Sequence, residues 1–476
     1  MEGETEANGL GEKCAVFGIY GKGLDVARLS FFGLYALQHR GQESSGIAVS
    51  DGRRLACHKG MGLVPHVFNE ETIEKLKGHI AIGHNRYSTT GGSLVQHAQP
   101  ILVNDDAIAL AHNGNLPSVS ALKDFLAGKG TASDGMSDSR LMAEAIGVYM
   151  KEGKPLPEAV RAAYPLFTGA FSALVLSGDT LVAVRDRCGI RPLCIGKING
   201  AMVIASETCA LSTIGARFVR EVEPGEMVVI SENGMESVQL AAPDPKLDIF
   251  EFVYFARPDS MLLGQSVYEV RKRSGARLAR ERKIAADVVI PVPDTAVPVA
   301  VGYAQESGIP FEMGLAKNRY IHRTFIQPEQ HVREQGVKLK LSPIPEVIAG
   351  KRVAVVDDSI VRGTTSRQIV KMLFEAGAAE VHFLISSPPI MFPDFYGIDI
   401  SKQQDLIAAS KTVEETRRYL GATSLTYLSF DGLIEATGLP QNVFCTACFT
   451  GEYPIDIKER AREFTERKVC YTPFAA

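Results

Sequence analysis

The stretch VAVVDDSIVRGTTS, residues 353–366, leaves few folds open to this chain. It begins as an apolar strand, ends in two acids, Asp357 and Asp358, and turns through Gly363 into a helix-forming run. A strand apolar on both sides belongs in a sheet covered on both faces. The neighbouring sequence supplies the covers. DVVIPVPD (287–294) reads as a strand running into a loop, TAVPVAVGYAQESG (295–308) as a helix, TTSRQIVKMLFEAG (364–377) as a helix and EVHFLISS (380–387) as a strand. Such strand–helix alternation predicts a parallel α/β sheet. Ligands of these sheets bind beyond the carboxyl ends of the strands, which is where the two acids fall.

The first half is patterned differently. CAVFGIYG (14–21), GIAVSDG (46–52), HIAIGHNRYST (79–89), ILVNDDAIALAHNG (101–114), AFSALVLSGDTLVAVRD (170–186), LCIGKING (193–200) and AMVIASET (201–208) are short β-type runs punctuated by Gly and Asn. They predict layered antiparallel sheets. Residues 25–41 read as a helix whose apolar positions are Val26, Leu29, Phe32, Ala36 and Leu37; 137–153 and 156–167 read as two more. The Pro- and Asp-rich AAPDPKLD (241–248) reads as a linker. At 476 residues the chain exceeds one ordinary core. The expected division is a leader 1–13, a first domain 14–240, a second domain 250–460 and a tail 461–476, with a helix over 454–469 covering the interface.

Composition excludes several classes. A formal net charge of −4 marks neither a nucleic-acid binder nor a membrane-surface protein. No apolar run is long enough to span a bilayer. MEGETEANGLGEK lacks the basic and apolar regions of a secretory signal, so a cytoplasmic location is expected. Eight cysteines in such a compartment read mostly as small buried hydrophobes. Cys14, Cys445 and Cys448 stand out by context.

Cys14 opens a strand directly after the leader. CAVFGI, LQHRGQESSGIAVSDG, GHNRYSTTG, AHNGNL and SDS then follow in order. This series resembles the class II glutamine amidotransferases, from residue 14 to about residue 235. The resemblance implies an N-terminal-nucleophile αββα sandwich and self-cleavage between Lys13 and Cys14. The Cys14 thiolate would attack the glutamine amide, with its own freed α-amine as general base. The resemblance further implies that Asn113 and Gly114 form the oxyanion hole. It assigns Arg86 to the substrate α-carboxylate, Asp138 to the α-amino group, and Arg40 to a place near the glutamine site.

In the second half, Arg362, Thr364, Thr365, Ser366 and the free N–H groups of a helix start suit a phosphate, and Gly363 admits close approach of the backbone. The adjacent carboxylates suit sugar hydroxyls or a hydrated Mg²⁺. The order of these residues resembles the phosphoribosyl pyrophosphate (PRPP) signature of type I phosphoribosyltransferases. That resemblance implies that Asp357 and Asp358 meet the ribose hydroxyls, directly or through Mg²⁺. The loop from Ser359 onward would hold the 5-phosphate, and Thr295, in VVIPVPDTA, would help place the metal. The basic stretch 317–342 resembles the family's lid, with Lys317, Arg319, Arg323 and Lys340 available to neutralise departing pyrophosphate.

Both halves, with YFARPDS (254–260), RTFIQP (323–328) and ISSPPIMFPDFYGID (385–399), resemble the leader-bearing, Bacillus-type glutamine–PRPP amidotransferases over essentially the whole chain. The resemblance implies the first committed step of purine synthesis, a homotetramer, AMP and GMP as feedback inhibitors, and an ammonia channel with Tyr87 and Phe325 lining or gating it. Two rivals remain at this stage: a glutaminase serving another acceptor, and a PRPP-sensing regulator without turnover. One departure stands out. Bacillus-type members hold an iron–sulfur cluster on four cysteines, of which Cys445 and Cys448 match two; Asp248 and Asp394 occupy the other positions. A cluster or Zn²⁺ on two carboxylates and two thiols, and a metal-free remnant, are all open.

Overall fold

A computed structural model describes residues 14–87, 95–105, 107–318, 340–397, 402–457 and 459–460. The first half forms two antiparallel sheets. Seven strands, ordered Arg217–Glu221, Cys194–Ile198, Ala201–Ala205, Ala15–Tyr20, Ile80–Arg86, Ser44–Ser50 and Leu55–Met61, make one. Six, ordered Gly234–Gln239, Glu226–Ser231, Thr180–Arg185, Thr168–Ser177, Ile108–Ser118 and Ile101–Val103, make the other.

Alternation along the Ala15–Tyr20 strand shows how the layers stack. Val16 and Tyr20 point into a core shared with Ala109, Ala111, Leu174 and Leu181 of the second sheet. Phe17 and Ile19 point the other way, against Val26 and Leu34 of the helix Val26–Ala36. Beyond the second sheet, Ile108, Leu110 and Val175 pack on the helices Asp138–Lys151 and Leu156–Ala163. The result is the four-layer αββα sandwich, with the Cys14 strand central in its sheet and buried on both faces.

One helix is turned from its expected setting. Phe32, assigned by spacing to the core face, is 43% exposed. The buried stripe is instead Val26, Ala27, Ser30, Gly33, Leu34 and Ala36. Small residues win that face because Phe17 lies directly beneath it: a Cβ on Gly33 would come within 2.3 Å of the Phe17 ring.

The second half is built on four parallel strands, Val288–Pro291, Arg352–Asp357, Glu380–Ile385 and Ser424–Tyr427. Val353 and Val355 face one core with Ile369 and Leu373 of the helix Thr364–Glu375. Ala354 and Val356 face the opposite core, with Phe252 and the helices Val267–Glu281 and Val297–Ser307. Those two helices cross at glycines. A Cβ on Gly275 would meet the Val299 carbonyl oxygen at 1.9 Å, and one on Gly302 the Lys272 carbonyl oxygen at 1.9 Å. The crossing fixes where the helix after the Thr295 loop begins.

The linker reading holds only in part. Leu247–Asp248 is buried and pairs in parallel with Phe444–Cys445, so the end of 241–248 belongs to the core. Leu247 enters an apolar cluster and Asp248 finds an arginine partner, which a solvent-facing linker would not supply. Residues 454–457 are irregular rather than helical. Ile455 and Ile457 nevertheless pack on a cluster containing Ala170, Ile190 and Tyr396, drawn from both halves. Residues 461–476, with the remainder of that expected helix, lie outside the described residues.

Gly302→Ala is expected to lower unfolding free energy by roughly 1–3 kcal/mol or more, because the clash is with rigid backbone. Gly128→Ala, whose Cβ meets nothing within 4 Å, should leave stability unchanged or raise it. Denaturant midpoints of the two variants check this, and equal responses would sink the packing argument.

Candidate active sites

The strand order brings the nucleophile candidate to the seam of the molecule. Cys14 precedes Ala15, which pairs with Asn85 of the Ile80–Arg86 strand. The carbonyl of Cys14 accepts a hydrogen bond from Arg40 Nε at 3.2 Å. Arg40 is completely buried, its Nη1 donating to Glu207 at 2.6 Å and to Glu251 at 2.9 Å, and its Nη2 to Glu251 at 2.7 Å. Burial alone would lower the Arg40 guanidinium; Glu251 and Glu207 more than offset it. Burial alone would likewise raise Glu207, but His39 and Arg40 hold its carboxyl well below the usual range. Three of the Arg40 hydrogen bonds thus go to carboxylates and one to the Cys14 carbonyl.

Arg86 ends its strand, and its Nη1 donates to Glu43 at 3.1 Å. Tyr87 follows it directly. Asp138 starts the helix Asp138–Lys151; its Oδ2 accepts from the Leu116 N–H at 3.1 Å and lies 3.8 Å from His112 Nδ1. Asn113 and Gly114 sit mid-strand in Ile108–Ser118, paired with Ser172 and Phe171. Gly114 has φ +143, and a Cβ there would strike the Ala170 carbonyl oxygen at 2.0 Å, so no other residue fits. Asn113 is 2% exposed, yet its Nδ2 finds no acceptor among the described residues. A buried amide donor without an acceptor is costly, and this one leaves an N–H available to a bound oxygen. His84, behind these strands, is pushed down to about 3 by burial, against the pull of its bond to the His112 carbonyl. It stays neutral at working pH, with its Nε2–H given to the His112 carbonyl.

The second centre lies at the carboxyl edge of the parallel sheet. Asp357 ends its strand and Asp358 follows, with the Asp358 N–H donating to Asp357 Oδ1 at 2.9 Å and Ser359 Oγ to Asp358 Oδ1 at 2.7 Å. Burial, then the Asp358 charge, pushes the Asp357 carboxyl well above the usual range. Gly363, at φ +77, turns the chain into the helix Thr364–Glu375; Thr364 and Thr365 are exposed at its start and Ser366 is buried. Arg362 Nη2 donates to Asp405 at 3.3 Å. The Thr295 loop leaves the adjacent strand, since the Val292 N–H bonds the Val356 carbonyl at 2.8 Å. Lys317 forms an ion pair with Asp294 of that loop. The strands Leu315–Lys317 and Leu341–Pro343 pair antiparallel and bracket the basic stretch, with Lys340 at its far end. Arg319, Arg323 and Phe325 lie outside the described residues.

Asp248, Asp394, Cys445 and Cys448 come together but not as a ligand set. Asp248 accepts from Arg191 Nη1 at 3.1 Å and from the Phe250 N–H at 3.0 Å; Asp394 accepts from the Tyr396 N–H at 2.7 Å. Burial raises the Asp248 carboxyl to about 8 against the pull of Arg191, and Asp394 and Glu251 add to the rise. Burial, then Asp248 and Asp394, pushes both thiols well above their usual range. Among the described residues no three His, Cys, Asp or Glu side chains converge as metal ligands. As placed, these four side chains therefore do not form a ligand set for an iron–sulfur cluster or zinc.

Arg191, Glu207 and Glu251 escaped the sequence reading. Each is a lone charge in an otherwise apolar or small-residue stretch, GIRPLCIG, ASETCALS and IFEFVYF, and that isolation was the available signal.

The first centre has the parts of a glutamine-hydrolysing amidotransferase and the second those of a phosphoribosyl-transferring enzyme. Comparison with known proteins agrees. Residues 84–213 match a glutamine amidotransferase domain model and residues 269–387 a phosphoribosyl transferase domain model. An amidophosphoribosyltransferase of Synechococcus elongatus is 50% identical across 95% of this chain and 93% of its own length. That of Bacillus subtilis is 46% identical, across 95% and 96%. A solved structure of the B. subtilis glutamine PRPP amidotransferase, complexed with ADP and GMP, superposes with TM-score 0.87 at 45% identity, covering 93% of this chain and 98% of that one. The chain belongs to the amidophosphoribosyltransferase family. It converts glutamine, PRPP and water to 5-phosphoribosylamine, glutamate and pyrophosphate in purine biosynthesis.

Asn113→Ala is expected to cut glutamine-dependent turnover by about 10²–10³ while sparing synthesis from free ammonia; parallel assays with the two nitrogen donors check this. A buried neutral His84 also makes stability rise with pH between about 3 and about 6.5, where only the unfolded chain takes up its proton. The expected contribution is up to about 1.4 kcal/mol per pH unit. Urea titrations from pH 6.5 to pH 5 should show a shallower slope in His84→Gln, and an unchanged slope would count against the assignment.

Proposed function

We propose that the reaction is divided between the two centres, with Cys14 as the nucleophile of the first and Asp357 and Asp358 as the sugar-binding acids of the second. The observation that carries this reading is the unsatisfied, buried Asn113 amide beside Gly114, on the strand that also receives Asp138. Removal of residues 1–13 between Lys13 and Cys14 frees an α-amine whose ordinary pKa near 8 suits a general base. The thiolate attacks the glutamine amide, Asn113 and the Gly114 N–H hold the developing oxyanion, and ammonia leaves as the thioester forms. Water then releases glutamate. Arg86 holds the α-carboxylate of glutamine and Asp138 its α-amine.

Ammonia passes along a channel that includes Tyr87 and Phe325. It displaces pyrophosphate from PRPP where Asp357 and Asp358 hold the ribose hydroxyls. Ser359, Arg362, Gly363, Thr364, Thr365 and Ser366 hold the 5-phosphate. Lys317 and Arg323 neutralise the departing pyrophosphate. Asp357, Asp358 and Thr295 would hold Mg²⁺, which would supply charge neutralisation on the pyrophosphate. Purine nucleotides acting as feedback inhibitors, a homotetramer, a cytoplasmic location and the domain limits 14–240 and 250–460 complete the reading. The ADP and GMP of the B. subtilis structure support the first of these. Among the described residues, no helix is long and apolar enough to cross a membrane.

Cys14→Ala should abolish glutamine use and retain ammonia-dependent synthesis, whereas Asp357→Ala with Asp358→Ala should abolish both. Pyrophosphate release with each nitrogen donor checks the division. Intact-mass measurement of the active protein should find residues 1–13 absent. Glutamine-dependent activity in Cys14→Ala would overturn the nucleophile assignment.

A further inference from the structure

Arg191 is 1% exposed and stands at the junction of both halves of the chain. Arg185 Nε and Ser172 Oγ hold its carbonyl, at 2.8 Å and 3.0 Å, so its backbone is fixed from the glutaminase side. Its side chain reaches the other half. Nε donates to the Tyr396 carbonyl at 3.1 Å; Nη1 donates to Asp248 at 3.1 Å and to Glu251 at 3.3 Å. From there two lines lead back to the glutamine site. Glu251 binds Arg40, which holds the Cys14 carbonyl. Phe395, next to Tyr396, accepts from Asn115 Nδ2 at 2.7 Å, one residue beyond the proposed oxyanion pair. Gly397 packs there too: a Cβ on it would lie 3.3 Å from Gly114 Cα and 3.2 Å from Arg191 Nη2.

We propose that Arg191 is a positioning residue that sets the Cys14 strand and the Asn113–Gly114 strand relative to one another through the second half of the chain, and that Asp248 serves it as a hydrogen-bonded carboxyl partner in place of a metal ligand. This rests on the proposed role of Cys14. Removing a side chain that aligns two catalytic groups lowers the rate of their step more than substrate affinity, since a misplacement of about 1 Å can cost on the order of 100-fold. Lysine keeps the charge of Arg191 but not the planar fork that spans Tyr396, Asp248 and Glu251.

The test compares Arg191→Lys and Glu251→Gln with the parent enzyme, all purified anaerobically. The expected result is a fall of at least about tenfold in kcat for glutamine hydrolysis, with KM for glutamine and ammonia-dependent synthesis each within about twofold. Iron, sulfide and zinc should be substoichiometric in the parent and unchanged in Asp248→Asn. Equal loss of both activities, or of neither, in the two variants would overturn the positioning role. So would a stoichiometric metal that departs with Asp248→Asn overturn the part assigned to Asp248. Cys14→Ala, run alongside, separates the two levels: glutamine use surviving in it overturns the nucleophile itself, whereas its loss there without a split in the Arg191 and Glu251 variants overturns only the coupling.

Discussion

The Arg40–Glu251 pair is the contact on which the working arrangement depends. Two charged groups with no solvent access are tolerable only when each is matched, and leaving one alone costs several kcal/mol. Arg40 comes from the turn after the first helix and Glu251 from the first helical turn of the second half. Their bidentate bond therefore lets neither half settle without the other. The Cys14 carbonyl takes the Arg40 Nε–H, so the position of Cys14 is tied to the seam.

Around that pair further buried charges are packed together. Arg40 and Arg191 face Glu207, Glu251, Asp248 and Asp394. The Asp248 carboxyl is raised first by burial, and Asp394 and Glu251 add to the rise against the pull of Arg191. Burial, then Asp248 and Asp394, raises the Cys445 and Cys448 thiols in the same way. What looks in sequence like half of a metal site is in space the apolar and hydrogen-bonding margin of an arginine hub.

The parts that sequence made legible were those with a strict period or a fixed order. The strand before Asp357 could be read because both its faces are apolar, and Gly363 because only a left-handed turn joins that strand to its helix so tightly. The Asn113–Gly114 pair could be read as a motif, though the reason for Gly114 is spatial: the Ala170 carbonyl occupies the space of a side chain. Phe32 could not be placed, because helical spacing gives a stripe without saying what lies under it. Here Phe17 lies under it and demands glycine. The burial of Leu247–Asp248 was hidden for a similar reason, since its partner strand Phe444–Cys445 is almost two hundred residues away and too short to leave a pattern.

Isolated charges in apolar segments were the least legible feature and the most informative one. Arg191 sits between Ile190 and Leu193, both buried, and Glu251 between Phe250 and Phe252, both buried. Either charge placed there without a partner would unfold its segment. Each is stable only because the other half of the chain supplies the opposite charge, so the two segments encode one another. The close sequence partners of such residues are therefore not their neighbours but the distant charges they neutralise. In this enzyme those distant charges connect the site that makes ammonia to the half that consumes it.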